Sequence, residues 1–126
     1  LLGDAFVKPL VARPRPSAGL VRVYEPADSY GFPSTTTLVA CVLFGIVTYF
    51  VWYARESRSV PRSATRRVLA IVATAALLLL LWISISRVYL GVHWATDILG
   101  AWLFGGAWLL LLVAAHRWWL TRRTKA

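Results

Sequence analysis

The chain has 126 residues, is 59% hydrophobic, and carries seven tryptophans and a formal charge of +9. That length admits one domain at most. A soluble domain of this size cannot hide so much apolar surface, so the sequence points to the bilayer as its solvent.

Residues 1–34 come first. The opening LLGDAFVKP shows no cleavable leader and reads like the tail of an earlier helix, so an N-terminal part is expected to be missing. Pro9, Pro14, Pro16, Pro26 and Pro33 argue for an irregular loop rather than a span. Within it, KPLVARPRP (Lys8–Pro16) sets three cations on a proline-stiffened backbone. Taken alone, that stretch reads as a juxtamembrane loop touching anionic lipid. GFPSTTT (Gly31–Thr37) follows, where Pro33 and Ser34 mark a helix start. Exposed N–H groups and hydroxyls there would cradle an anion, although a plain capped helix explains the same residues.

Three apolar runs then predict membrane-spanning helices at 35–54, 68–86 and 95–115, so the expected fold is an all-α polytopic transmembrane bundle. The first two hold no charge over 20 and 19 residues, about 30 Å of helix each. The third has one, Asp97, in its first turn. The loop RESRSVPRSATRR has five arginines, and the basic tail 116–126 has three arginines and a lysine. Three crossings put those segments on one face, nine cations against Lys8, Arg13, Arg15, Arg22 and Arg87 on the other. Basic residues favour the cytoplasmic side, so 1–34 and 87–94 should face outward. Trp52, Tyr53, Trp118 and Trp119 fall where an inner aromatic belt belongs. The positive charge is thus mostly topological, and no nucleic acid partner is expected. The lone Cys41 allows no intrachain disulfide and no cysteine-rich zinc site. No internal repeat is visible.

The junction SRVYLGVHWATD (Ser86–Asp97) carries the chemistry. His93 and Asp97 are one helical turn apart and share a face. A carboxylate so placed can fix the imidazole tautomer and leave the other ring nitrogen to attack. Arg87 is in reach as a planar anion clamp. A helix-start cap with a snorkelling arginine accounts for this junction equally well when it is taken alone. By the topology above, however, all three stretches meet at one membrane face. Cations, hydroxyls, helix N-termini and a histidine–carboxylate pair are what phosphoryl transfer through a phosphohistidine needs, with no metal.

These residues resemble the three signatures of the type-2 phosphatidic acid phosphatase superfamily, integral-membrane lipid phosphate phosphatases related to vanadium haloperoxidases. K-x6-R-P is matched by Lys8, Arg15 and Pro16; P-S-G-H only by Pro33 and Ser34; S-R-x5-H-x3-D in full by Ser86, Arg87, His93 and Asp97. The resemblance implies that Lys8, Arg15, Arg87 and Ser34 bind phosphate, with His93 as nucleophile and Asp97 as its orienting partner. It implies no cofactor or metal. Family members usually have six helices, which would make this chain the C-terminal three. Arg13 has no role in the pattern.

Where the family has its leaving-group acid, this chain has Thr36. His116 cannot serve, being 23 residues beyond His93, roughly 35 Å along a helix. Asp28 and Tyr30 are candidate substitutes. The expected substrate is a lipid phosphate or an isoprenyl diphosphate, and the expected location is a bacterial plasma membrane with the site facing out. Two other readings stay open: a catalytically silent lipid-phosphate binder or scaffold, and a plain three-helix membrane subunit. Ala101, Gly105 and Gly106 suggest close helix packing, within the protomer or with upstream helices or a second copy.

Overall fold

The structure, a computed structural model, describes residues 6–26, 28–56 and 62–123. Its described part is helical, without strands: α1 (Lys8–Val11), α2 (Thr35–Glu56), α3 (Arg62–Tyr89) and α4 (Ala95–Arg123). α2 is the middle element and packs against both α3 and α4.

Hydrophobic content and length make three of these membrane spans, at Thr35–Ala54, Arg66–Tyr89 and Ala95–Arg123. α4 has 29 residues, about 43 Å at the usual rise, more than the hydrocarbon layer requires. Its extra turns place Arg122 and Arg123 over the rings of Trp118 and Trp119, 4.1 and 3.9 Å from the centroids. Stacking of this kind suits an interfacial belt, where the ring is half apolar and the cation reaches water. Little of each span is buried by protein, and Leu103, Trp82 and Leu110 are each more than 70% exposed. Such a surface is at home only in lipid. The protein is therefore an integral membrane protein.

Small residues let α2 and α4 approach. Ala101 is fully buried. A Cβ on Gly105 would sit 2.9 Å from Cys41 Cβ, and one on Gly45 would meet Leu109 at 2.2 Å. Each helix thus offers a notch to a side chain of the other, the close contact that drives association where lipid supplies no hydrophobic force. Gly106 has nothing within 4 Å of its position and takes no part in this seam. Between α3 and α4, Trp102 Nε1 donates to Ser84 Oγ at 3.1 Å. At the far end His116 Nδ1 pairs with Tyr49 Oη at 2.9 Å, among Phe50, Tyr53 and Trp119.

The segment read as an irregular loop contains one short helix, α1, with proline in its first turn and Ala12 in the left-handed region at its end. Proline there lacks only an N–H that would have had no partner in the helix. The chain then runs back over the α3–α4 connection. Tyr24 N–H donates to the Leu90 carbonyl at 3.0 Å, and Trp94 Nε1 to the Pro14 carbonyl at 3.1 Å. Gly91 makes this crossing possible. Its φ is +68°, and a Cβ there would lie 2.6 Å from the Arg22 carbonyl.

Candidate active site

The site forms where this returning segment meets the α3–α4 turn. α3 ends at Tyr89 and its last carbonyls stay occupied. Leu90 N–H donates to Ser86, while Val92 and His93 N–H both donate to the Arg87 carbonyl at 3.2 Å. His93 is thereby placed immediately before α4, with only 5% of its surface exposed. Asp97, fully buried, reaches back one turn: Oδ2 accepts from Trp94 N–H at 2.9 Å. That bond is a helix-start cap, as an acid at the third helical position makes. The same oxygen lies 3.4 Å from His93 Nδ1, within ion-pair distance but without an aligned hydrogen bond. Capping and orienting are therefore one arrangement.

Arg15 approaches the ring from the other side. Its Nη1 is 3.2 Å from His93 Nε2 and donates to the Val92 carbonyl at 2.9 Å. Nε and Nη2 are held by the carbonyl and hydroxyl of Ser29 at 2.7 and 2.9 Å. A guanidinium only donates, so Nε2 must accept and the ring proton belongs on Nδ1, facing Asp97. Burial, and then Arg15, push the His93 imidazole below the ordinary histidine range; Asp97 and the Gly31 carbonyl pull the other way and lose. Desolvation likewise lowers the Arg15 pKa, Asp97 opposes this, and Arg87 adds to the lowering. Arg87 is thus within electrostatic reach of Arg15. Its Nη1 lies 3.6 Å from Glu25, and its buried Nε has no partner.

The remaining expected residues fall nearby in different ways. Lys8 lines an open pocket of about 620 Å³ with Pro9, Asp28, Ser29 and Tyr30. Ser29 connects that pocket to Arg15, whereas His93 is outside its lining. Ser34 departs from the open hydroxyl expected of it. It is fully buried, its Oγ is 3.1 Å from Thr37 Oγ1, and its N–H donates to the Asp97 carbonyl at 3.2 Å. The N–H expected to cradle an anion ties the start of α2 to α4, and the hydroxyl is spent within the first turn of α2. Thr36 is exposed and is the second residue of α2.

Arg13, which the motif leaves without a role, is inside the site. Its Nη1 donates to Asp97 Oδ1 at 3.1 Å and to the Thr96 hydroxyl. Sequence did contain a signal. Arg13 and Arg15 are two apart on a proline-fixed chain, and in extended backbone such residues share a side. Gly31 was missed too. A Cβ there would lie 2.9 Å from Asp97 Oδ2, and its N–H donates to the Arg13 carbonyl at 2.9 Å.

A buried imidazole with a fixed tautomer, backed by a carboxylate and fronted by the Arg15 guanidinium, is equipped to attack an anionic electrophile. Residues 1–121 match the model of the PAP2 superfamily. The chain belongs to the PAP2 superfamily. Phosphatidylglycerophosphatase B of Bacillus subtilis (strain 168) is 29% identical over 102 residues, covering 81% of this chain and 45% of that protein. A crystal structure of a transmembrane PAP2-type phosphatidylglycerolphosphate phosphatase from Bacillus subtilis is similar over 92% of this chain and 53% of the other, with a TM-score of 0.74 and 25% identity. The PAP2 chain described here thus spans about half the length of these relatives.

Proposed function

We propose that this PAP2 protein is a lipid phosphate phosphatase that works through a phosphohistidine at His93. The contact of Arg15 Nη1 with His93 Nε2 carries this reading. It marks the unprotonated nitrogen and puts a cation where a phosphoryl oxygen would be held.

In the proposed reaction the substrate's phosphate takes the guanidinium of Arg15 from the ring, and Arg87 and Lys8 add to the positive field. Nε2 attacks phosphorus in line and the bond to the leaving oxygen breaks. Charge building on the equatorial oxygens meets preset donors, which is where most of the acceleration arises. Asp97 stabilises the positive charge that the ring acquires. Water then attacks the phosphohistidine, releasing inorganic phosphate and restoring the imidazole.

Thr36 sets the substrate preference. Threonine cannot protonate a leaving group near neutral pH. A lipid monoester expels an alkoxide whose conjugate acid resembles water, with a pKa of about 16. A diphosphate expels a phosphate group with a second pKa of ~6 and suffers far less. The relatives' names point to phosphatidylglycerophosphate, a monoester. The leaving-group chemistry of this chain favours an isoprenyl-type diphosphate instead. An opposing reading, a silent phosphate-binding protein, is supported by the same threonine.

Phosphate release from phosphatidylglycerophosphate, phosphatidic acid and an isoprenyl diphosphate separates these readings. The diphosphate should turn over fastest, and Thr36→His should raise monoester turnover by about 10²–10⁴. The exposed position accepts the larger ring without displacing packed neighbours. Faster monoester turnover by the native protein refutes the substrate preference. A His93→Ala variant with undiminished turnover refutes the mechanism, and an inert Thr36→His protein favours the binder.

A further inference from the structure

We propose that Arg13 is a positioning residue, whose guanidinium locks the Asp97 carboxylate in the orientation that His93 requires. This rests on His93 acting as nucleophile.

Asp97 is fully buried at a helix start and has two oxygens to satisfy. Trp94 N–H fixes Oδ2 alone, which leaves the carboxylate able to turn about that bond. Arg13 takes Oδ1 at 3.1 Å and ties it to the neighbouring Thr96 hydroxyl, so the plane of the carboxylate is set from both sides. The backbone of Arg13 is anchored as well. Its carbonyl accepts from Gly31 N–H, and Gly31 leaves by its missing Cβ the space that Asp97 Oδ2 fills. One residue therefore joins the returning loop to the orienting acid at both its ends. Arg15, two positions on, points instead at Nε2 and Ser29. The two arginines divide the work: one addresses the reacting nitrogen, the other the carboxylate behind the ring.

The charge of Arg13 has a second effect. The charged groups against His93 are Asp97 from α4 and Arg15 from the loop before α2; Arg13 sits on Asp97 behind the ring, while Arg87 at the end of α3 and its partner Glu25 act on Arg15. Arg13 offsets the attraction of Asp97 for a ring proton, and so helps keep the imidazole neutral and ready to attack.

Arg13→Gln and Arg13→Lys, each in the full membrane-embedded protein beside His93→Ala, test this. Arg13→Gln should lower kcat about 10–100-fold, the cost of a misplaced catalytic group, with KM nearly unchanged. Its kcat/KM profile should lose activity at a higher pH than the native protein does. Arg13→Lys should recover most of kcat and the native acid limb. The His93 imidazole titration, followed by NMR, should move the same way in Arg13→Gln and needs no turnover. An unmoved titration and acid limb, or a raised KM with native kcat, overturns the inference while leaving His93→Ala inactive. Full turnover in His93→Ala overturns the underlying reading and the inference together.

Discussion

At the scale of the residue, the site is a set of charges balanced against one another. His93 is held neutral by burial and by Arg15 against the pull of Asp97. Because its folded pKa is depressed, the stability that rests on a neutral ring is complete above the ordinary histidine value of 6.5 and falls as pH drops below it. Attack needs the same neutral form. The acid limb of kcat/KM should therefore lie below pH 6.5, measured on whichever lipid turns over fastest; a limb above that value contradicts the arrangement. His93 and Asp97 stood out in the sequence because one helix turn sets their spacing, and Arg15 and Arg87 because they match the family's motifs. The pairings of Arg13 and Glu25 were not legible there, although the spacing of Arg13 from Arg15 hinted at a shared side. Their partners lie 84 and 62 positions away, and nothing local to either residue encodes that pairing.

At the scale of the element, hydropathy marks where the chain sits in hydrocarbon but not where a helix stops. The apolar run to residue 115 continues as α4 to Arg123, because arginine stacked on tryptophan tolerates the interface that leucine avoids. The run beginning at 68 lies within a helix that already starts at Arg62. Small residues gave a second clue, only partly specific: Gly105 is in the α2–α4 seam while its neighbour Gly106 is not. One helical step, about 100°, separates a notch from a lipid-facing site. Gly105→Val should therefore destabilise the folded protein by about 1–3 kcal/mol through overpacking against Cys41 and the Leu38 carbonyl. Gly106→Ala should be neutral or gain up to ~1 kcal/mol from helix propensity. Thermal unfolding of both variants in one detergent gives the comparison, and equal losses would contradict the seam.

At the scale of the molecule, the charge asymmetry orients the chain. The site and the returning loop occupy one end of the bundle, and the basic tail of α4 lies at the other. The cation count favours the tail as the cytoplasmic end. On a Cys41→Ala background, a membrane-impermeant maleimide applied to intact cells should label Gly19→Cys, where the added side chain meets nothing within 4 Å. It should label Thr121→Cys only after permeabilisation. The reverse pattern would turn the site inward. Closure of that site across the chain also has a consequence in time. Arg13 and Arg15 leave the ribosome about 80 residues ahead of the histidine and aspartate they contact, roughly 4–16 s at ordinary rates of synthesis. Through that interval Arg13 lacks Asp97 and Arg15 has only the carbonyl and hydroxyl of Ser29, so the cluster comes together only once α4 has been made.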